Sequence, residues 1–336
     1  MTFDKIMAKI TSGLKGNPEE DIKYLMDQCE KYKTHKQAQE IIRAIGRMVY
    51  KLLPDDKKEE VKQILDNVNL GIENIIEEAE FQMYKNNFNK ALEIMEPLIK
   101  SLDEKDGYKD DTVSEYHCFD NIFEEIIYKE IFKPTKEVRH IPENYTEAYF
   151  KYGIILFELK KYDEAKKVLE KANKYNPIST DVLFELSEIY KMNKDWNEYL
   201  RINNDCLKYA YSSKSLARCY RNYGFYFVEI CNYEIATALF CLSMNYEQSK
   251  TAQSELLYIT GKTGEPPKLP ELEDVVELLK KHDIQLGPNE LVVGMAFSLG
   301  KVAQKNGNDQ MAKYFYGIAY DLTNSQEIKS ILDSIE

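Results

Sequence analysis

Side chains able to do chemistry are few in this chain and stand apart from one another. The four histidines, His35, His117, His140 and His282, are not paired at the spacing of a helical zinc site, and none neighbours a cysteine pair. His282 falls where a helix should end, and there the helix dipole would favour a partly cationic, capping imidazole. The six cysteines show no Cys-x-x-Cys; Cys206, Cys219, Cys231 and Cys241 lie in helical stretches and read as reduced core thiols of a cytoplasmic protein. Asp103-Glu104-Lys105-Asp106-Gly107 resembles a calcium loop only superficially, because its carboxylates do not alternate before the glycine and no glutamate closes it. There is no glycine-rich phosphate loop and no nucleophile elbow. Glu77-Glu78 and Glu124-Glu125 read as solvated helix faces. No catalytic residue, metal or cofactor is therefore expected, since an enzyme would need a buried polar constellation. Recognition remains. Arg218 and Arg221, three residues apart, share one side of a helix and can hold a carboxylate; they can equally pair with Glu185 or Glu188.

The elements that position these residues are helices. With 336 residues, 14 Gly and 10 Pro, the chain suits an all-α fold long enough for two domains or one extended array. No apolar run approaches the roughly 18 residues of a membrane span, and the first residues lack a secretion signal. The net charge of −12 is uneven: residues 71–145 carry 9 basic and 18 acidic residues. Nucleic acid is not expected as a partner, because phosphate contacts need clustered Lys and Arg; Arg43 and Arg47 alone make no such site. The acidic stretch reads as a solvated face, or as an attraction for a basic partner.

Small residues recur at a fixed interval. In residues 146–179 Tyr149, Tyr152, Gly153 and Leu156 form one stripe, a turn follows at Lys160–Asp163, and Ala165, Leu169, Ala172 and Pro177 follow. Gly153 is expected to face Ala165 across a helical hairpin, where larger side chains would push the axes apart, and Ala172 to meet the next hairpin. The spacing returns in 217–250 with Tyr220, Tyr223, Gly224, Phe227, Ala236, Phe240 and Ser243. It returns again in 293–336 with Ala296, Gly300, Ala303, Ala312, Tyr316 and Ala319. Residues 180–216 match in length, but Tyr199 stands where alanine is expected, which predicts a splayed hairpin. Residues 71–105 form a weaker copy, with Ile75, Ala79, Phe88, Ala91, Met95 and Leu98.

This pattern resembles the tetratricopeptide repeat, W-x2-L-G-x2-Y followed by A-x3-F, alanine and proline, with Tyr149, Tyr152, Leu156 and Leu169 as mild departures. The chain also looks like bacterial tetratricopeptide proteins with a similar insert and N-terminal cap. The resemblance implies a right-handed α–α superhelix of helical hairpins. It also implies that the first helix of each hairpin lines a concave groove that receives a peptide or extended segment. Projected onto that geometry, Phe150, Ile154, Phe157, Phe184, Arg218, Arg221, Asn222 and Phe225 form an aromatic groove with a cationic end. Some relatives clamp acidic chaperone C-termini with Lys and Asn, but Phe150 and Ile154 occupy those places here. Two readings stand side by side: the groove takes a protein or peptide, or the chain's own insert fills it. A regulator whose repeats rearrange on binding a peptide is the alternative function. Neither partner nor oligomeric state follows from the sequence.

The remaining segments complete the layout. Residues 1–70 read as a helical cap on the stack, with helices from Phe3 to Leu14, after Asn17-Pro18, after Thr34, and from near Asp55. The apolar faces of the second and third are Ile22, Leu25, Met26 and Cys29, then Ile41, Ile42, Ile45, Met48, Val49 and Leu52. Residues 106–145 read as an insert with one amphipathic helix, capped by Asp120, lying in the seam between units rather than in the groove. Residues 251–292 read as a linker with one extra helix, and a helix from Ser325 to Ile335 closes the chain. No strand is expected anywhere.

Overall fold

A computed structural model describes residues 3–35, 38–54, 57–58, 72–104, 108–141, 143–266 and 270–335. It divides into two compact units, residues 1–71 and 72–336. The helix expected from near Asp55 and most of the Asp103–Gly107 loop lie outside the described residues.

The first unit holds α1 (Phe3–Ser12), α2 (Pro18–Tyr32) and α3 (Ala38–Leu52). Asn17 caps α2 by accepting from the amides of Glu19 and Glu20, with Pro18 in the first turn where its missing N–H costs nothing. Ile6, Ile10, Leu25, Ile41 and Ile45 form its core, whereas Met26 and Ile42, expected on the buried faces, are exposed.

The second unit is built from hairpins. They are α4 (Ile72–Tyr84) with α5 (Phe88–Glu104), α7 (Tyr145–Glu158) with α8 (Tyr162–Tyr175), α9 (Thr180–Met192) with α10 (Trp196–Tyr209), and α11 (Ser213–Glu229) with α12 (Tyr233–Tyr246). Then follow α13 (Lys250–Thr263), α14 (Leu272–Lys281), the hairpin α15 (Glu290–Lys305) with α16 (Asp309–Thr323), and α17 (Gln326–Ser334). Residues 251–292 thus hold two helices, not a linker and one. Gly264, at φ +83, ends the first of them in the left-handed conformation that glycine adopts without steric cost. His282 caps α14 as expected, but its imidazole is driven toward neutrality by burial and by Lys281, against the cationic form the helix dipole would favour.

The close approach inside each hairpin differs from the expected one. A Cβ built on Gly153 would lie 2.6 Å from Leu169 Cδ2 and Cγ, so the glycine faces Leu169, not Ala165. The same pairing recurs at Gly224 with Phe240 and at Gly300 with Tyr316, always sixteen residues apart. In the second hairpin of the central run these places hold Ser187 and Asn203, both fully buried. Polar contacts replace bulk there: Ser187 donates to the Phe184 carbonyl and Asn203 to that of Cys219. Tyr199 is accommodated too, fully buried, with its hydroxyl donating to the Asn222 carbonyl of the next hairpin at 3.0 Å.

The insert corrects the strand-free expectation. Two four-residue strands, β1 (Ser114–His117) and β2 (Glu137–His140), pair in parallel on either side of α6 (Ile122–Phe132), with Ser114 opposite Glu137. Asn121, not Asp120, caps α6, accepting from the amides of Phe123 and Glu124. Among the described residues no helix is long and apolar enough to cross a membrane.

Candidate functional site

The first helices of three successive hairpins, α7, α9 and α11, carry all the expected site residues. Phe150, Ile154 and Phe157 recur on one side of α7 and are half-buried. Phe225 on α11 is half-buried as well, with the Lys191 ammonium 4.9 Å from its ring centre and Trp196 beside it. Phe184 departs from expectation: it is 1% exposed, with the Arg218 guanidinium 4.5 Å above its ring. A cation on an aromatic face gains quadrupole attraction while shielding the ring from water, so Phe184 joins the core and Arg218 becomes its lid.

Both arginines are already committed. Arg218 hydrogen-bonds Glu185 at 3.0 Å and lies 4.0 Å from Glu188. Arg221 sits 3.0 Å from a Glu247 carboxylate oxygen, at an angle that leaves its Nη1 without a proper hydrogen bond. Lys191 pairs with Glu188, and Lys151 with Glu80 of α4 at 2.5 Å. The cationic end expected to grip a partner's carboxylate is thus neutralised from within. Asn222 is 7% exposed and its Nδ2 finds no acceptor among the described residues.

Carboxylates are in surplus at the start of these helices. Glu147, in the first turn of α7, is half-buried and accepts from Asn144 Nδ2 at 2.7 Å. Its carboxyl is raised by burial, and further by Glu80, Glu73 and Glu77, with Lys151 acting the other way. Asp120, in the insert, is pushed up to about 7, first by loss of hydration, then by Glu124, Glu147 and Asp181. Its side chain keeps an open side to solvent, so screening limits what that crowding costs.

Glu124 is the polar residue that sequence reasoning passed over. It is 2% exposed, not solvated. Its Oε2 accepts from Asn176 Nδ2 at 2.6 Å and from the Asp120 amide at 2.9 Å; its Oε1 accepts from the Tyr211 hydroxyl at 3.0 Å. Asn176 follows α8 and Tyr211 follows α10, so one carboxylate ties α6 to the ends of two successive hairpins. Phe123 adds edge contacts to Tyr211 and to Phe315 of α16, and Phe132 packs on Tyr209. These contacts engage the ends of the hairpins α7–α8 and α9–α10 and helix α16. Burial raises the Glu124 carboxyl despite its three donors.

Of the cysteines, Cys118, Cys206 and Cys219 are buried thiols, whereas Cys231 is exposed at a hairpin turn, contrary to the core placement expected. Among the described residues no group of three or more His, Cys, Asp or Glu could hold a metal ion.

The family model of the tetratricopeptide repeat matches residues 146–178, the hairpin α7–α8 with Pro177. No curated protein matches the chain. Residues 146–178 thus match a tetratricopeptide repeat, and the sixteen-residue pairing of small and large side chains seen there recurs in the hairpins α11–α12 and α15–α16.

Proposed function

We propose that the protein is a non-enzymatic scaffold that takes an extended segment of a protein or peptide into a groove lined by α7, α9 and α11. Tetratricopeptide repeats generally mediate protein–protein interactions. The observation that carries the reading is the row Phe150, Ile154 and Phe157: these side chains stay half-open to water, while Glu124 of the insert is bonded to Asn176 and Tyr211 at the ends of two hairpins. Apolar surface left beside a groove favours association, at about 25 cal/mol per Å² removed from water. The arginines enter as structural members, Arg218 over Phe184 and Arg221 against Glu247, rather than as the grip on a partner. The test is capture of partners by the full chain and by Phe150→Ala/Ile154→Ala at matched helicity and melting temperature. Loss of capture supports the groove; retained capture by the double variant removes it.

One observation favours the second reading, a peptide-responsive regulator. Asp321 of α16 accepts from the Ser213 amide at 2.7 Å and from its hydroxyl at 2.9 Å, an exposed latch between the last hairpin and the start of α11. A ligand on α11 that opened this latch would change the scattering profile. An unchanged profile at saturation counts against the regulator.

A further inference from the structure

The hairpin α9–α10 leaves space behind it. Where the hairpins α7–α8 and α11–α12 carry Leu169 and Phe240, α10 carries Asn203, whose Nδ2 donates forward to the Cys219 carbonyl of α11 at 3.1 Å. Tyr199 reaches the same way, with its hydroxyl on the Asn222 carbonyl. Both direct the bulk of α10 toward α11, and a cavity of about 270 Å³ stays open between α10 and α8, over α9. Its floor is Leu183, Leu186 and Ile202, all buried. Phe132, the last residue of α6 and 44% exposed, forms an aromatic wall with Tyr209, the ring centres 5.8 Å apart. Small-molecule sites run from ~300 to ~1,000 Å³, so this one has room for a single ring and a short chain.

The two polar walls differ. On α10, Arg201 and Asp205 answer one another at 3.1 Å, and Glu198 and Lys208 complete the set. On α8, Glu170 has one long ion pair, to Lys166 at 4.0 Å, and that ammonium lies 4.6 Å from the centre of the Tyr190 ring. Asn173, one turn on, makes no side-chain hydrogen bond among the described residues, and its Oδ1 is sealed from solvent without a donor. No bond fixes which way that amide faces, so it can turn over and offer its acceptor to the cavity without breaking one. The α8 wall therefore supplies acceptors, a carboxylate and an amide oxygen, beside an apolar floor.

We propose that this cavity is a second binding site, one that takes an aromatic ring bearing a primary amine. The ring lies on Leu183, Leu186 and Ile202 beside Phe132, and the ammonium donates to Glu170 and Asn173. None of Phe150, Ile154, Phe157 and Phe225 lines the cavity, so the site stands independently of the groove. Burial of the ring and its contacts with Phe132 and Tyr209 supply the affinity. The acceptors of α8 supply the selectivity, because an anion would meet Glu170 and find Arg201 already held. The same chemistry has two sources. One is a free aralkylamine; the other is a phenylalanine at the start of a peptide, whose α-amine stands two carbons from its ring, as in phenethylamine.

The experiment titrates the full chain with para-fluorophenethylamine, the matching alcohol and para-fluorophenylacetate, followed by fluorine NMR. The amine is expected to bind about fivefold more tightly than the alcohol, with the acid weakest. Glu170→Gln, at an exposed position, should bring the amine down to the level of the alcohol and leave the alcohol unchanged. Asn173→Trp should fill the cavity and abolish binding of all three, with circular dichroism reporting the fold; Phe132→Ala, which opens the aromatic wall from an exposed position, should weaken all three whether or not the tryptophan variant folds. Phe150→Ala should change nothing. A short peptide beginning with para-fluorophenylalanine separates the sources: binding tighter than that of the small amine assigns the site to a chain terminus, weaker binding to a free ligand. An N-acetylated peptide that binds as well as the free one overturns the role of the amine, as does acid binding equal to that of the amine. Amine binding that survives both Asn173→Trp and Phe132→Ala places the ligand elsewhere and overturns the proposal. Absence of amine binding at millimolar concentration overturns it too.

Discussion

Helix α15 contains two glycines whose surroundings differ, and changing each to alanine separates packing from backbone propensity. Gly294 is exposed, and a Cβ there would meet nothing within 4 Å. Gly300 is buried, and its Cβ would lie 2.7 Å from Tyr316 Cδ1 and 2.9 Å from two further ring atoms. Alanine in place of glycine inside a helix gains up to ~1 kcal/mol by restricting the unfolded chain and improving propensity. Gly294→Ala should therefore stabilise by up to about that amount. Gly300→Ala gains the same term but forces the Tyr316 ring, itself 1% exposed, away from its seat; such overpacking costs ~1–3 kcal/mol. The propensity term cancels between the two, so they should differ by ~1–3 kcal/mol, read as separated midpoints in urea titrations followed by circular dichroism. Gly153→Ala, against Leu169, and Gly224→Ala, against Phe240, should behave like Gly300→Ala. Equal stabilisation by Gly294→Ala and Gly300→Ala would refute the idea that minimal bulk at this place sets the distance between helices.

Three further predictions rest on named residues. Glu124→Ala leaves the Asn176 amide and the Tyr211 hydroxyl without their buried acceptor, at ~1–3 kcal/mol for each group, whereas Glu124→Gln keeps an acceptor for Asn176 and the Asp120 amide and should stay within ~1 kcal/mol of the natural protein. Because burial raises the Glu124 carboxyl in the folded state, the folded chain binds that proton more tightly than the unfolded one; stability should fall as pH rises above the unfolded carboxylate value of about 4, and Glu124→Gln should flatten that slope, as melting temperatures across the range would show. Ala165→Trp should overfill the fully buried contact between α7 and α8 and destabilise by ~1–3 kcal/mol or more, and an unchanged melting temperature would contradict the register.

Local features were legible in the residues, and partners distant in sequence were not. Gly153, Gly224 and Gly300, with the alanines at 165, 236 and 312, announced the hairpins because helix spacing turns sequence interval into contact. The cap written in a few residues, Asn17 with Pro18, appears where expected. The glycine's partner was misjudged by one turn, since only the packed hairpin shows that Leu169 rather than Ala165 fills the gap. Glu124 looked solvated because the groups that bury it, Asn176 and Tyr211, lie 52 and 87 residues away. The strands of the insert were invisible for a different reason. Ser-Glu-Tyr-His and Glu-Val-Arg-His are too short to show a period of two, and their pairing depends on the crossover through α6. Helix α13 carries only Ala252 and Ile259 into the core and exposes Leu257 and Tyr258, so its apolar face gave no clear stripe. At the site, the helical side shared by Arg218 and Arg221 was readable, and so was Glu185 as a partner, which Arg218 takes; Glu247, which Arg221 meets, belongs to the end of the following helix and was not named.

The groove itself is tested most directly by selecting a random peptide library on the immobilised full chain and measuring the enriched peptides against Phe150→Ala/Ile154→Ala. The account predicts enriched sequences that bind the natural chain and lose binding to the double variant, while its circular dichroism is unchanged. Enriched peptides that bind both proteins with equal affinity would contradict it.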